Sequence, residues 1–420
     1  MCEKEKKVYL LGIGMGDPKG ITGEVKDVLL ACGCVIGAER LIRSVFDKIQ
    51  QYLSAEEAEA FCSKERLAEY RADEIARFIK NHKTEDTFAV VLSGDTGFYS
   101  GAKNLVRALQ NFTVSILPGV SSVSYLAARL GISWEDAAIV SMHGQKANFI
   151  YEILHNEKTF LLLGTKGQEG EICRKIKYYG LEEMQAVIGK NLSYPDEQIL
   201  AKRSGDLTAE DVKGLSVALF LNAHPHVKCR AAVQDAEFIR GKVPMTKEEI
   251  RTVCLSKLQL EKGAVLYDIG AGTGSVSVEA ALSDASVRVY AVEKNPEAVS
   301  LLEENKRKFA ADWMEIVKGT APEVLEELPV PSHVFIGGGS RNLKTILQTV
   351  RLKNPEVRIV LTAISLETVK EAMEAMEEGL LPSAKVIQMA VARSRSLGKF
   401  HMMMGENPIY IISAGGKECS

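Results

Sequence analysis

Twice in this chain a short aliphatic run ends in a glycine-rich loop that passes straight into a helical stretch: LLGIGMGDPKGIT (10–22) and LYDIGAGTGSVSVEAA (266–281). Glycine lacks a Cβ, so such a loop can turn sharply and bring its N–H groups close to a ligand. Strand, glycine loop and helix in that order point to α/β architecture with largely parallel sheets. The rest of the chain keeps this rhythm. Strands are predicted near 7–13, 33–37, 87–92, 113–117, 138–142, 159–163, 184–189 and 215–221, then near 264–269, 287–292, 314–317, 332–337, 357–362, 384–392 and 408–413.

A length of 420 residues exceeds one ordinary domain. The stretch from Ala223 to Thr246 breaks the rhythm with two prolines and a cluster of charges, which predicts a junction near residue 235 and domains over 1–235 and 236–420. The two glycine loops differ in type and spacing, so the halves read as two unrelated nucleotide-type folds and not as a repeat.

Composition narrows the function classes. With 46% hydrophobic and 25% charged residues the chain is globular. Its net charge is −3, with 29 basic and 31 acidic residues up to residue 235 and 23 and 24 beyond it. No basic domain is left to hold nucleic acid or an anionic membrane. The eight cysteines (Cys2, Cys32, Cys34, Cys62, Cys173, Cys229, Cys254, Cys419) form no CxxC pair, so no metal site is expected. The first residues carry no apolar signal-peptide core, which makes the cytoplasm the expected compartment. The uncharged stretch Ala108 to Ala128 contains Pro118, Gly119 and four serines, and reads as strand, loop and helix start, not as a membrane span.

The second glycine loop has GxGxG spacing with Asp268 two positions ahead, and the following strand (VRVYAVEKNPEAV, 287–299) carries Glu293 about twenty residues past the loop. A carboxylate there can bind both hydroxyls of a ribose, whereas a dinucleotide would call for GxGxxG. This arrangement resembles the class I S-adenosylmethionine (SAM) methyltransferases. The resemblance implies a Rossmann-like, seven-stranded domain in which Gly270, Ala271, Gly272, Thr273 and Gly274 cradle the methionine moiety and Glu293 takes the ribose. It also implies that GTAPEVL (319–325), with Thr320 and Ala321, borders the adenine, and that HVFIGGGS (333–340) ends the fourth strand on the substrate side. Gly319 and Gly337 to Gly339 read equally as plain turn glycines.

The first loop is GxGxGD. It resembles the tetrapyrrole methylases (class III), whose signature is GxGPGD, with Met15 at the usual proline. The likeness continues through VVLSGDTGFYSGA (90–102), SILPGVSSVSYLAARLG (115–131), VSMHG (140–144), LLLGT (161–165) and GKNLSYPDEQI (189–199). It implies a two-lobed α/β fold and cofactor contacts from Gly14, Met15, Ser93, Gly94, Asp95, Phe98, Ser121, Ser122 and Gly164. Asp17 and Asp95 read alternatively as helix N-caps.

Members of that family that methylate uroporphyrinogen carry an Asp just after the second strand. Here CVIGAERLI (34–42) has none and resembles the corrin-pathway branch acting at C5, while FIRGKVPMTKEEIR (238–251), including Thr246, resembles the entry segment of decarboxylating C15 methyltransferases. The two halves in this order are similar to the bifunctional corrin-pathway family of cobalamin biosynthesis. That resemblance implies SAM as cofactor of both halves and a precorrin or cobalt-precorrin tetrapyrrole as substrate. It also implies C5 methylation by the first half, C15 methylation with loss of the ring C acetate carboxyl by the second, and a homo-oligomer, as a tetramer, through the C-terminal domain. Two other readings stay open: one catalytic domain beside a scaffold module, and a nucleotide-binding oxidoreductase, which the loop spacing disfavours.

No catalytic side chain is assigned, since an electron-rich macrocycle and an activated methyl chiefly need alignment. A polyanionic substrate calls for basic residues, and Arg240, Lys242 and Lys247 in the entry segment and Arg393 and Arg395, with Lys399, in a loop between the last two strands are the candidate carboxylate grips. A solvated basic surface is the alternative. Arg40 and Lys103 are further candidates in the first half. His143 reads as a polar or core residue and His224-Pro-His226 as a junction loop, with no third ligand nearby. Cys32 and Cys34, if extended, share a strand face.

Overall fold

The computed structural model describes residues 6–50, 53–143, 146–164, 167, 169–226, 232–337 and 342–416. Gly144, Thr165, Gly338, Gly339, Ser340, Cys2, Cys229 and Cys419, singled out above, lie outside the described residues. The chain divides into two compact units, residues 1–147 with 156–224, and residues 225–420 with the short segment 148–155.

The first unit holds two sheets. Strands β1 (Lys7–Gly12), β2 (Cys34–Gly37), β3 (Glu65–Ala68), β4 (Thr87–Leu92) and β5 (Thr113–Leu117) make a parallel sheet in the order β3-β2-β4-β1-β5. Strands β6 (Ala138–Ser141), β7 (Lys158–Leu162), β8 (Gln185–Lys190), β9 (Gln198–Arg203) and β10 (Ser216–Leu221) make a mixed sheet, ordered β6-β7-β10-β8-β9. This is the two-lobed arrangement expected.

Alternation along β1 explains the first sheet's burial. Val8 and Leu10 pack with Ile36, Phe88 and Val90 on one face, and Leu11 packs with Val35, Ala89 and Val91 on the other. Helices cover both faces of the parallel sheet, so its central strands read as continuous apolar runs. Cys32 and Cys34 fall on opposite sides. The shared face expected of them fails because Cys32 caps the helix Gly23–Ala31, and the strand begins only at Cys34.

In the second unit β11 (Val265–Ile269), β12 (Arg288–Glu293), β13 (Met314–Lys318), β14 (His333–Ile336), β15 (Arg358–Ala363), β16 (Lys385–Met389), β17 (Ala392–Leu397), β18 (Phe400–Gly405) and β19 (Ile409–Ala414) follow one another. Seven of them form one sheet, β13-β12-β11-β14-β15-β19-β16, parallel except for β19, which runs antiparallel to both β15 and β16. The glycine loop follows the central strand β11, so it opens at the carboxyl edge of the sheet where the chain turns outward on either side, the position at which such sheets bind ligands.

Four strands were not legible. β3 (ERLA) and β9 (QILAKR) are sheet edges whose side chains are largely exposed, so no apolar alternation marks them. β17 and β18 pair only with each other. The last two strands of the sheet do pair antiparallel, yet the segment between them is not a loop. Arg393 and Arg395 lie on β17, and Lys399 sits in the turn of this hairpin.

Three strand ends of the first sheet meet through glycine backbone. A Cβ on Gly119 would lie 2.3 Å from Gly94 O and 2.6 Å from Gly12 O, and one on Gly12 would lie 2.6 Å from Gly119 N. Gly119→Ala should therefore push these loops apart and destabilise the protein by about 1–3 kcal/mol. Denaturant titration of the full chain reads this as a lowered midpoint; an unchanged midpoint would contradict the close approach.

Candidate functional site

Each unit carries a cleft at its glycine loops. In the first unit Gly14 N donates to Gly94 O at 3.2 Å and Gly94 N to Gly14 O at 2.5 Å, tying the loop after β1 to the loop after β4. Asp95 locks the third loop to them: Oδ2 accepts from Gly119 N at 3.0 Å and Oδ1 from Gly97 N at 2.8 Å. Asp17 does cap a short helix: it precedes the 3-10 turn Pro18–Gly20, and its Oδ1 accepts from Lys19 N at 2.9 Å. Asp95 caps none; Thr22 and Ser121 are the caps of the helices Gly23–Ala31 and Ser122–Leu130. Ser121 takes Ser124 N at 3.1 Å, which fixes its neighbour Ser122 at the cleft wall.

The resulting cleft has a volume of about 350 Å³. Met15, Ser93, Gly94, Asp95, Phe98, Ser121 and Ser122, all expected from the sequence, line it together. Arg40 and His143 line it too, whereas Lys103 does not. Two further expected residues are not among those that line it. Gly14 serves the loop–loop bridge, and Gly164 leaves space for an imidazole, since a Cβ there would lie 2.6 Å from His143 Nε2.

The second lobe closes the first glycine loop in a way the motifs do not announce. Ser193 Oγ accepts from Gly16 N at 2.6 Å and Asp17 N at 3.0 Å, so these two N–H groups are engaged by the protein itself. Ser193 holds a left-handed backbone (φ 66°), and Glu197 secures it by accepting from Ser193 N at 2.6 Å and from the Tyr125 hydroxyl at 2.8 Å. The sequence signal was present in GKNLSYPDEQI, but nothing in it distinguishes a clasp from a turn.

In the second unit Gly270, Gly272, Glu293, Thr320 and Ala321 line a cleft of about 350 Å³, with Val243 and Pro244 of the entry segment forming one wall. Glu293 stands at the end of β12. Its Oε2 accepts from Gly272 N at 2.9 Å, and its Oε1 from Lys294 N and Asn295 N, each at 2.8 Å. The remaining expected residues support the loop from behind. Ala271 N donates to Val292 O at 3.1 Å, and a Cβ on Gly274 (φ 81°) would strike Leu302 at 2.5 Å. Thr273 is buried with its Oγ1 unpartnered.

Beneath the loop Asp268 is buried, with one oxygen accepting from Ser277 Oγ at 2.5 Å and Oδ1 unpartnered. Burial pushes its carboxyl up to about 7, opposed by the Ser277 hydrogen bonds and aided by the charge of Glu293.

Thr246 does not line the cleft; it is held by a residue that sequence reasoning missed. Arg251, fully buried on the helix Glu248–Leu258, donates from Nη1 to Thr246 O at 2.7 Å and Asp235 Oδ1 at 3.1 Å, from Nε to Glu279 Oε1 at 2.6 Å, and from Nη2 to Val233 O. This one guanidinium fastens the entry segment to the helix Ser275–Ala281 behind the glycine loop. In the sequence it sits beside Ile250 in a charged helix start and looks like a surface residue.

None of the five expected grips lines this cleft among its described residues. Arg240, Lys242 and Arg395 are exposed. Lys247 faces Asp235 at 4.0 Å, and Arg393 pairs with Glu249 and, at 3.1 Å, with Glu406.

A two-lobed α/β unit and a seven-stranded α/β unit, each with a glycine-loop cleft, are the fold of a methyltransferase built from two domains. A family model described as tetrapyrrole (corrin/porphyrin) methylases matches residues 7–208, and one described as precorrin methyltransferase domain matches 237–414. A protein of Pyrobaculum calidifontis named "Probable cobalt-precorrin-6B C(15)-methyltransferase (decarboxylating)" is 46% identical over 186 residues, 43% of this chain and 94% of the relative. A Sinorhizobium protein named "Precorrin-6Y C(5,15)-methyltransferase [decarboxylating]" is 26% identical over 315 residues, 74% of this chain and 75% of the relative. A crystal structure titled precorrin-6y C5,15-methyltransferase from Geobacter metallireducens is 38% identical, with a TM-score of 0.42, over 44% of this chain and 96% of that one. The chain belongs to the precorrin methyltransferase family.

Two outcomes follow from the buried charges. Arg251→Met leaves Glu279 without its cation and Asp235 with only the longer contacts to Arg393 at 3.8 Å and Lys247 at 4.0 Å, and should cost about 3–5 kcal/mol in denaturant titrations; a loss under about 1 kcal/mol would make the network incidental. Asp268 binds its proton more tightly folded than unfolded, because its folded pKa lies above the ordinary 3.8. Its stabilising effect is therefore complete below pH 3.8 and is lost as pH rises towards about 7. Asp268→Asn should flatten that fall in a pH series of unfolding midpoints, and an unaltered slope would count against the burial account.

Proposed function

We propose that this chain is a bifunctional SAM-dependent methyltransferase of cobalamin biosynthesis. It methylates C5 and C15 of a precorrin-6Y-type or cobalt-precorrin tetrapyrrole and decarboxylates the ring C acetate. The C5 step falls to the first unit, within residues 1–235, and C15 methylation with decarboxylation to the second, within 236–420. The observation that carries this reading is the presence of two complete but differently built glycine-loop clefts in one chain.

The chemistry of both clefts suits SAM. A phosphate ligand would want clustered cations, whereas SAM is a zwitterion with an added sulfonium charge, matched by hydroxyls, carbonyls and acids. The first cleft offers Ser93, Ser121 and Ser122 beside Met15 and Phe98. The second offers Glu293, with the unpartnered Asp268 Oδ1 and Thr273 Oγ1 beneath its loop and Lys294 as its one described lysine. Gly270, Gly272, Glu293, Thr320 and Ala321 would hold the cofactor there. The bound cofactor supplies an activated methyl group; the protein aligns it with the macrocycle and excludes water.

For the carboxylates of the macrocycle, Arg240, Lys242 and Arg395 are the grips best supported, being exposed, with Arg240 and Lys242 beside the cleft wall Val243–Pro244. Lys247 and Arg393 would have to exchange protein carboxylates for those of the substrate. We assign homo-oligomerisation, as a tetramer, to the second unit; the hairpin β17–β18, which exposes Phe400, Met402, Met403 and Met404, supports association but not its order. No helix among the described residues is long and apolar enough to cross a membrane, and we place the enzyme in the cytoplasm.

Mass spectrometry after incubation with SAM and the metal-free or cobalt-containing tetrapyrrole should register two added methyl groups and loss of carbon dioxide. No change with either substrate would overturn the reading. Glu293→Gln should weaken cofactor binding at the second site by about 1.5–3 kcal/mol and leave the first site intact, as read by calorimetry. Equal loss at both sites would contradict the assignment of Glu293.

A further inference from the structure

Where methylation replaces the hydrogen of a ring carbon, that proton has to leave, and the first cleft then needs a proton acceptor. This step rests on the function proposed above. Among the titratable side chains lining that cleft, most are engaged or unsuited. Both oxygens of Asp95 accept backbone N–H groups, from Gly97 at 2.8 Å and Gly119 at 3.0 Å. Arg40 is a permanent cation. The Tyr99 hydroxyl donates to Ile139 O at 3.2 Å, and Tyr194 packs its ring against Gly16, where a Cβ would lie 2.3 Å away.

His143 differs from all of these. It follows β6 and lines the cleft, and its Nδ1 lies 3.4 Å from the Ser141 hydroxyl. Its Nε2 packs against Gly164, 2.6 Å from where a Cβ would stand. A Cβ at 164 would drive the imidazole out, so this glycine provides room for a base.

We propose that His143 accepts the proton released from C5 during methyl transfer in the first cleft. As the carbon–sulfur bond breaks, its electron pair stays on sulfur, which becomes a neutral thioether. A π pair of the macrocycle forms the new C5–methyl bond. The C5–H pair then returns to the ring as the proton passes to the imidazole, so the positive charge lost from sulfur ends on the imidazolium. Burial holds the His143 pKa below its ordinary 6.5, which keeps the acceptor form present at neutral pH. The other titratable or charged groups that line the cleft are Arg40, Asp95, Tyr99 and Tyr194.

The test uses the full chain, SAM with a 13C-labelled methyl, and the metal-free and cobalt-containing tetrapyrroles, with methylation at C5 read by NMR. His143→Ala and His143→Gln should each lose C5 methylation by about 100-fold or more with SAM affinity unchanged by calorimetry. Added imidazole should restore part of the rate in His143→Ala, in proportion to its free-base form. NMR titration of the wild-type protein without ligands should place the His143 pKa below 6.5. Either variant keeping its C5 rate within about threefold, or a loss that imidazole does not rescue, overturns the role of His143. A wild-type protein that methylates neither tetrapyrrole would instead overturn the underlying function.

Discussion

Backbone meeting backbone at the carboxyl ends of parallel strands is the constraint on which both clefts depend. In the first unit Gly12, Gly94 and Gly119 approach so closely that no side chain fits between them, and Asp95 spans two of the loops. In the second, Gly270 N and Ala271 N donate to Val292 O at 3.0 and 3.1 Å, and a Cβ on Gly337 would lie 3.1 Å from Gly270 O. Parallel pairing brings these loops to one edge, and the absence of side chains lets them touch. Both clefts open at that edge.

The two units solve the same problem with different buried chemistry. The first closes its glycine loop with a hydroxyl, Ser193, held by Glu197 and Tyr125. The second fixes its cleft wall with a cation, Arg251, whose charge is matched by Asp235 and Glu279. A buried guanidinium with two carboxylates is poor evidence for added stability, since apolar residues could pack as well. What it supplies here is position: it holds Thr246, and with it the segment leading from the wall at Val243–Pro244, to the helix behind the glycine loop.

The fold and most of the loop residues were legible because periodicity and glycine spacing are local signals. Fully buried strands such as β1 and β11 stand out as apolar runs, and the acid at the end of β12 lies at a fixed distance from its loop. Edge strands β3 and β9 and the hairpin β17–β18 escaped notice because little of their surface is buried. The residues that act on the site from a distance were equally silent. Arg251 looks like a helix-surface charge until tertiary structure surrounds it, and Gly164 looks like a cofactor glycine until His143 is found in the space it leaves. Arg393 looked like a free grip, but the hairpin sets it against Glu249 and Glu406.

The central claim is that one chain carries two independent cofactor sites, one on each unit. Equilibrium calorimetry of SAM binding to the intact protein tests it directly, because the count of sites does not depend on having the tetrapyrrole in hand. The account predicts two SAM molecules bound per chain. A stoichiometry of one per chain would contradict it and leave the other unit a scaffold.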